Sequence, residues 1–159
     1  MHDSLKAIAS GMAIKIVNIT DENRNPVEPE WLARAEKIHR QLRPQLPQNY
    51  AEKMQRVFAQ GGEMCVAVEN DAVLGVAVFR SYENTFAGIN FYVDDLITDE
   101  AHRSLGVGRA LIAHLEMVAR QRGAKVVALE SGAQRTQAHK FYFREGFVIP
   151  GFSFFKTLT

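Results

Sequence analysis

Apolar positions along the chain change their period several times, and each change marks a boundary between elements. AIKIVNI, residues 13–19, alternates apolar and polar as a half-buried strand does. Pro29 then opens PEWLARAEKIHRQLR, where Trp31, Ala35, Ile38 and Leu42 recur at helical spacing until Pro44 stops the run. Tyr50, Met54, Val57 and Phe58 mark a second helix that Gly61-Gly62 closes. EMCVAVEN and AVLGVAVFR are valine-rich runs joined by the turn-prone pair Asn70-Asp71, and they predict a hairpin. NFYVDDLIT, residues 90–98, predicts a further strand. A helix follows it, with Val107, Leu111, Leu115 and Val118 on one face and Gly123 at its end. KVVALES predicts a short buried strand, TQAHKFYFRE a short helix ended by Gly146, and FSFFKTL a closing strand whose aromatic residues alternate. Strands in a hairpin run followed by strand–helix–strand–helix–strand predict an α/β or α+β sheet layered with helices.

Composition narrows the function classes. The chain has 159 residues, 47% of them hydrophobic and 23% charged, with a net charge of +1. That is enough for one globular domain with a real core. Near-neutrality argues against a nucleic-acid binder, which would carry a basic face. No apolar run approaches the roughly 20 residues a bilayer requires, and the N-terminus MHDSLKAIASGMAIKIV lacks the pattern of a signal peptide. A cytoplasmic protein without a membrane partner is therefore expected. The single cysteine, Cys65, sits in an apolar run of strand type and is expected to be buried rather than nucleophilic. His39, His102 and His114 have no second ligand at metal spacing, so no metal site is expected.

The most specific chemistry lies between the 90–98 strand and the helix after it. Arg103-Ser104-Leu105-Gly106-Val107-Gly108 turns a strand end into a helix start, with free backbone N–H groups aimed in one direction and Arg103 and Arg109 adding positive charge. Glycine at 106 and 108 permits close approach of an anion, although a helix start that needs glycine only for packing has the same pattern. A nucleoside triphosphate loop is excluded by the missing Gly-Lys-Ser/Thr ending, and a dinucleotide fold by the missing third glycine and acidic partner.

Arg103-x-x-Gly106-x-Gly108 resembles the acetyl-CoA pyrophosphate loop of the GNAT family of N-acetyltransferases. YVDDLITDEAHRSLGVG is similar to that family's fourth strand and loop, and AHKFYFREGF, residues 138–147, to its later helix. The order of elements agrees from about residue 13 to 158, so a single domain is expected over 1–159. The resemblance implies a mixed, twisted sheet of six to seven strands with about four helices, splayed between strands four and five. It implies acetyl-CoA as cosubstrate and a cofactor site formed by Leu96, Ile97, Thr98, Arg103, Ser104, Leu105, Gly106, Val107, Gly108, Arg109, Arg135 and His139. The chain departs from the family at Arg135, where many members carry asparagine.

Acetyl transfer to an amine needs a neutral nucleophile, a place for negative charge on the thioester oxygen, and a proton for the departing thiolate. An alkyl amine, with a pKa near about 10.4, is almost wholly protonated at neutral pH, so a base must take its proton. Asp94 and Asp95 are adjacent in a strand and are expected to point to opposite faces, so that only one meets the cleft. The resemblance assigns Asp94 as the amine-attracting or basic group, with Tyr92 and His139 as weaker candidates. It assigns Tyr142 as the general acid and a backbone N–H of Leu96, Ile97 or Thr98 to the oxyanion. Surface aspartates and a packing aromatic are the alternative readings of the same residues.

The function expected is therefore acetyl transfer from acetyl-CoA to the primary amine of a small molecule. A peptide or protein acetyltransferase, with an acceptor groove shaped by HRQLRPQLPQNYAEK, is the alternative within enzymes, and a silent acyl-CoA-binding module is the alternative outside them. The partners expected are a small amine and no nucleic acid, with a homodimer as the assembly considered.

Overall fold

The computed structural model describes residues 13–158, so the N-terminal part of the single-domain and leader readings lies outside the described residues. Five strands form one sheet in the order β1-β2-β3-β4-β5: β1 Lys15–Asn18, β2 Glu63–Glu69, β3 Ala72–Asn84, β4 Gly88–Thr98 and β5 Val127–Leu129. All neighbours are antiparallel except β4 and β5, which are parallel. Helices α1 (Pro29–Leu42) and α2 (Tyr50–Ala59) cover one face; α3 (Val107–Gln121) covers the other, and α4 (Thr136–Arg144) follows β5.

Each helix begins and ends where its residues dictate. Pro29 occupies the first turn of α1, where its missing N–H removes no helical bond. The Asn49 side chain accepts from the Glu52 N–H at 3.3 Å and caps α2. Ile38, Met54, Val66 and Val76 fill the core under α1 and α2, while Phe79, Phe91, Leu111 and Leu115 fill the core under α3. α3 lies close on the sheet because β3 carries glycine beneath it. A Cβ at Gly75 would stand 2.8 Å from Cγ1 of Val107 and 3.0 Å from Cδ1 of Leu111.

Two expectations about strands are corrected. β3 and β4 form one long hairpin paired out to Asn84 opposite Gly88, so the ladder runs past the ends expected from AVLGVAVFR and NFYVDDLIT. FSFFKTL is not a strand: residues 152–158 are unpaired, and Phe152, Phe154 and Phe155 are 88%, 92% and 94% exposed. The described sheet accordingly has five strands rather than six to seven. Alternation shows that a segment could lie on a sheet, but a strand exists only where a neighbour completes its hydrogen bonds.

Candidate active site

The edge strand β5 separates from β4 part-way along the length of β4. Their pairing ends at Val93 opposite Leu129, whereas β4 continues to Thr98, leaving a wedge between the strands. The N–H of Asp99 donates to the carbonyl of Leu74 at 2.8 Å. In an antiparallel ladder the direction alternates, so Ile97 also bonds toward β3 while the N–H groups of Leu96 and Thr98 turn into the wedge. Two of the three backbone donors expected for the oxyanion are thus free of the ladder.

At the wedge, β4 carries a bulge that sequence alternation does not reveal. Val78 lies opposite Asp95 and Phe79 opposite Val93, so Asp94 is an extra residue in the ladder. The bulge reverses the alternation. Val93 faces α3 and Ile97 faces α1 and α2, although both have odd numbers. Asp94 and Asp95 therefore do not point to opposite faces as expected; both line the same two cavities.

The two carboxylates differ in what holds them. Asp94 Oδ2 accepts from Nε of Arg80 at 2.8 Å and from its terminal nitrogen at 2.5 Å. Among the described residues no donor reaches its Oδ1. Asp95 has both oxygens engaged, Oδ2 with Nε2 of His39 at 2.9 Å and Oδ1 with Nε of Arg43 at 2.6 Å. His39 is buried, and its Nδ1 lies 2.9 Å from the hydroxyl of Tyr50. Burial drives the Tyr50 pKa well above its ordinary value, so the phenol keeps its proton beside Nδ1 of His39. Burial alone would raise the Asp95 carboxyl, but the His39 bond and the charges of His39 and Arg43 outweigh it and hold the group below the usual carboxylate range.

Two cavities meet at this pair. The smaller, of about 30 Å³, lies in the wedge and is lined by Asp94, Asp95, Leu96, Glu130, Arg135 and Tyr142 among others. The larger, of about 330 Å³, lies under the loop between α1 and α2 and reaches Leu46, Pro47, Lys53, Met54 and Arg80. Arg43, Asp94 and Asp95 are common to both. The loop over the larger cavity is fixed in place: Arg40 donates to the carbonyls of Leu46 at 2.6 Å and Pro47 at 2.8 Å while pairing with Glu36. Tyr142 packs on Phe141 and Phe147 with ring centroids 5.4 and 5.6 Å away. Burial raises its pKa despite the nearby charge of Arg135, so the phenol keeps its proton at neutral pH. Tyr92 is pushed up to about 12, chiefly by burial and then by the charge of Glu130.

On the far side of the wedge, α3 starts at Gly106, whose φ of 87° is left-handed. No side chain caps this helix, so its first N–H groups face outward. A Cβ on Gly106 would meet nothing within 4 Å, so glycine serves the backbone conformation here and leaves the space beside it open. Gly108 serves packing: its Cβ would lie 3.0 Å from the Phe141 ring and 3.5 Å from Oγ1 of Thr98, which brings α4, β4 and α3 together. Arg103, Ser104 and Leu105 are exposed beside the helix start. Arg109 turns to Glu145 at 3.2 Å, and His139 to the carbonyl of Gly132 at 2.9 Å, where it braces the loop before α4.

Asp94, Asp95, Leu96, Arg135 and Tyr142 thus gather around one cavity, and 103–109 form the uncapped start of α3. Sequence reasoning missed His39, Arg43, Tyr50 and Arg80. The four-residue spacing of His39 and Arg43 places both on one face of α1 and is a signal for the first two. Finding Arg80 would have required the hairpin register together with its bulge. Cys65 is fully buried as expected, and its thiol is pushed up to about 12, first by burial and then by the charge of Glu63.

A five-stranded mixed sheet opened between parallel strands, with an uncapped helix start beside the opening, is the architecture of an acyl-CoA-dependent transferase. The model of the acetyltransferase (GNAT) family matches residues 29–147, and the chain belongs to that family. An uncharacterized N-acetyltransferase of Bacillus subtilis, YhdJ, is 31% identical over 130 residues, covering 80% of this chain and 91% of its own. The aminoalkylphosphonate N-acetyltransferase of Salmonella typhimurium is 31% identical over 94 residues, covering 58% of this chain and 61% of its own. Among solved structures, the aminoglycoside N-acetyltransferase AAC(6')-Iy in complex with CoA superposes with a TM-score of 0.80 at 15% identity, covering 95% of this chain and 98% of that one. The chain is an N-acetyltransferase that uses acetyl-CoA. Among the described residues there is no cluster able to hold a metal and no helix long and apolar enough to cross a membrane.

Proposed function

We propose that the chain acetylates the primary amine of a small molecule by direct attack on acetyl-CoA. The observation that carries this reading is the open Oδ1 of Asp94 where the two cavities meet. Arg80 fixes the carboxylate through its other oxygen, so Oδ1 is oriented and available to a donor entering from the larger cavity. A cavity of about 330 Å³ under a pinned loop suits a small acceptor rather than an extended peptide.

The division of labour follows from the placements. The start of α3 and the backbone at Gly106 receive the pyrophosphate of acetyl-CoA, and Arg103 adds charge from solvent. The wedge takes the thioester end, with the N–H groups of Leu96 and Thr98 supporting negative charge on its oxygen. Asp94 accepts a hydrogen bond from the amine and draws off its proton, directly or through water. Tyr142 gives its proton to the departing thiolate, and the CoA thiol leaves as the amide forms. Arg135 sits where its charge eases proton loss from Tyr142.

Steady-state kinetics of two variants test these roles. Tyr142→Phe keeps the ring on Phe141 and Phe147 but deletes the proton, so kcat is expected to fall by roughly 10²-fold with acetyl-CoA affinity unchanged. Asp94→Asn is expected to lower kcat/KM most where the amine is protonated. Tyr142→Phe retaining more than half the wild-type rate would leave water as the proton source, and an unaltered pH profile in Asp94→Asn would remove Asp94 from the reaction.

A further inference from the structure

The larger cavity has a charge pattern that a simple cationic amine does not need. Three cationic side chains, Arg43, Lys53 and Arg80, line it together with two carboxylates, Asp94 and Asp95. Each carboxylate already has its own guanidinium: Arg80 on Asp94 at 2.5 Å and Arg43 on Asp95 at 2.6 Å. His39 brings no negative charge, and both of its ring nitrogens are engaged, Nδ1 with the hydroxyl of Tyr50 and Nε2 with Asp95. Glu36, the remaining carboxylate behind this wall, is occupied by Arg40. Glu52, in the same turn of α2 as Lys53, is paired with Arg56. Among the described residues no carboxylate pairs with Lys53, so the cavity has one uncompensated positive charge.

The hydrogen-bonding inventory leans the same way. Arg43 gives Nε to Asp95 and one terminal nitrogen to the carbonyl of Asp94 at 3.3 Å, and no acceptor among the described residues takes its other terminal nitrogen. The acceptors on the loop above, the carbonyls of Leu46 and Pro47, are taken by Arg40. What the cavity offers to an incoming molecule is therefore donors along its wall, the open Oδ1 of Asp94 as its one open carboxylate oxygen, and the neutral side-chain amide of Gln45.

We infer that the acceptor is an amine that also carries an oxyanion, a carboxylate, phosphonate or phosphate, within one small molecule. Its amine meets Asp94, and its oxyanion is held by Lys53 with the free guanidinium edge of Arg43. This rests on the small-amine reading above and adds to it the chemistry of the group that is not acetylated. A polycation fits poorly, since it would bring further positive charges to a wall with no unpaired carboxylate to receive them. The compact geometry matters too: both ends must reach their partners inside about 330 Å³, so the two groups are separated by only a few bonds.

Matched acceptors test this, with CoA release as the kinetic readout and calorimetric titration into the enzyme–CoA complex as the binding readout. Propylamine, β-alanine, 2-aminoethylphosphonate and spermidine share a primary amine and differ in the remaining group. The inference predicts that β-alanine or 2-aminoethylphosphonate exceeds propylamine in kcat/KM by tenfold or more, that spermidine is the poorest, and that the better of the two oxyanions tells carboxylate from phosphonate. Lys53→Gln should shrink the ratio of the oxyanion substrate to propylamine by tenfold through KM, with kcat little altered, and Lys53→Arg should restore part of it. Propylamine or spermidine matching the oxyanion substrates overturns the inference and leaves the small-amine reading standing. Acetylation of none of the four overturns both, and binding of the oxyanion amines that is indifferent to Lys53→Gln overturns the assignment of the site.

Discussion

At the scale of single residues, two neighbouring aspartates differ in how their oxygens are used. Asp94 keeps one oxygen open; Asp95 has both committed to His39 and Arg43. Asp95 is accordingly a structural anion whose charge is stabilised by folding. Its pKa lies below that of the unfolded chain, about 3.9, so the stability it contributes is fully present above that value and is lost as pH falls through the folded value. Asp95→Asn should therefore destabilise the protein at neutral pH by about 1–3 kcal/mol and flatten the loss of stability on acidification. Urea midpoints measured at neutral pH and in mild acid check this. Parallel acid limbs in the variant and the wild type would mean that His39 and Arg43 do not depend on the carboxylate charge. The aspartate pair was visible in the sequence as candidate chemistry, but its geometry was not, since a strand's parity is reliable only until an extra residue enters the ladder.

At the scale of elements, those specified by local chemistry were the ones legible in advance. Pro29 starts α1, the Asn70-Asp71 turn joins β2 to β3 with Asn70 at a φ of 52°, and Gly123 at a φ of 78° follows the end of α3. Features that depend on a distant partner were not legible: the bulge at Asp94 needs β3 opposite it, and FSFFKTL lacks the neighbour its alternation suggested. The start of α3 is the element we propose to bind the cosubstrate, and two substitutions at Gly106 separate its functions. Gly106→Ala strains a left-handed position, costing about 1–2 kcal/mol, without adding charge. Gly106→Asp adds a negative charge at this helix start and should weaken acetyl-CoA binding more than tenfold, well beyond the alanine variant. Calorimetric titration of both with acetyl-CoA decides it; equal affinities would leave this glycine a purely conformational role.

At the scale of the whole molecule, the sheet does more than support the site. β1 to β3 and the helices on both faces support β4, while the early end of its pairing with β5 opens the sheet beside Asp94, Asp95 and Tyr142. The wedge came within reach of sequence reading only through family resemblance, because loss of pairing leaves no composition or period behind, whereas the α3 start was legible from the glycines and arginines of 103–109. The larger cavity was legible only in part: HRQLRPQLPQNYAEK supplies one wall, but the other comes from β3 and β4 and needs the folded sheet. The central claim is that these parts carry acetyl from acetyl-CoA to a small amine. The most direct measurement incubates the protein with acetyl-CoA and either the small-amine set or peptides with free N-termini and lysines, following CoA release and the mass of every acceptor. The account predicts one equivalent of CoA for each small amine that gains an acetyl group, and no more than background with peptides. CoA release with peptides alone, or acetyl-CoA bound and never turned over, would contradict it.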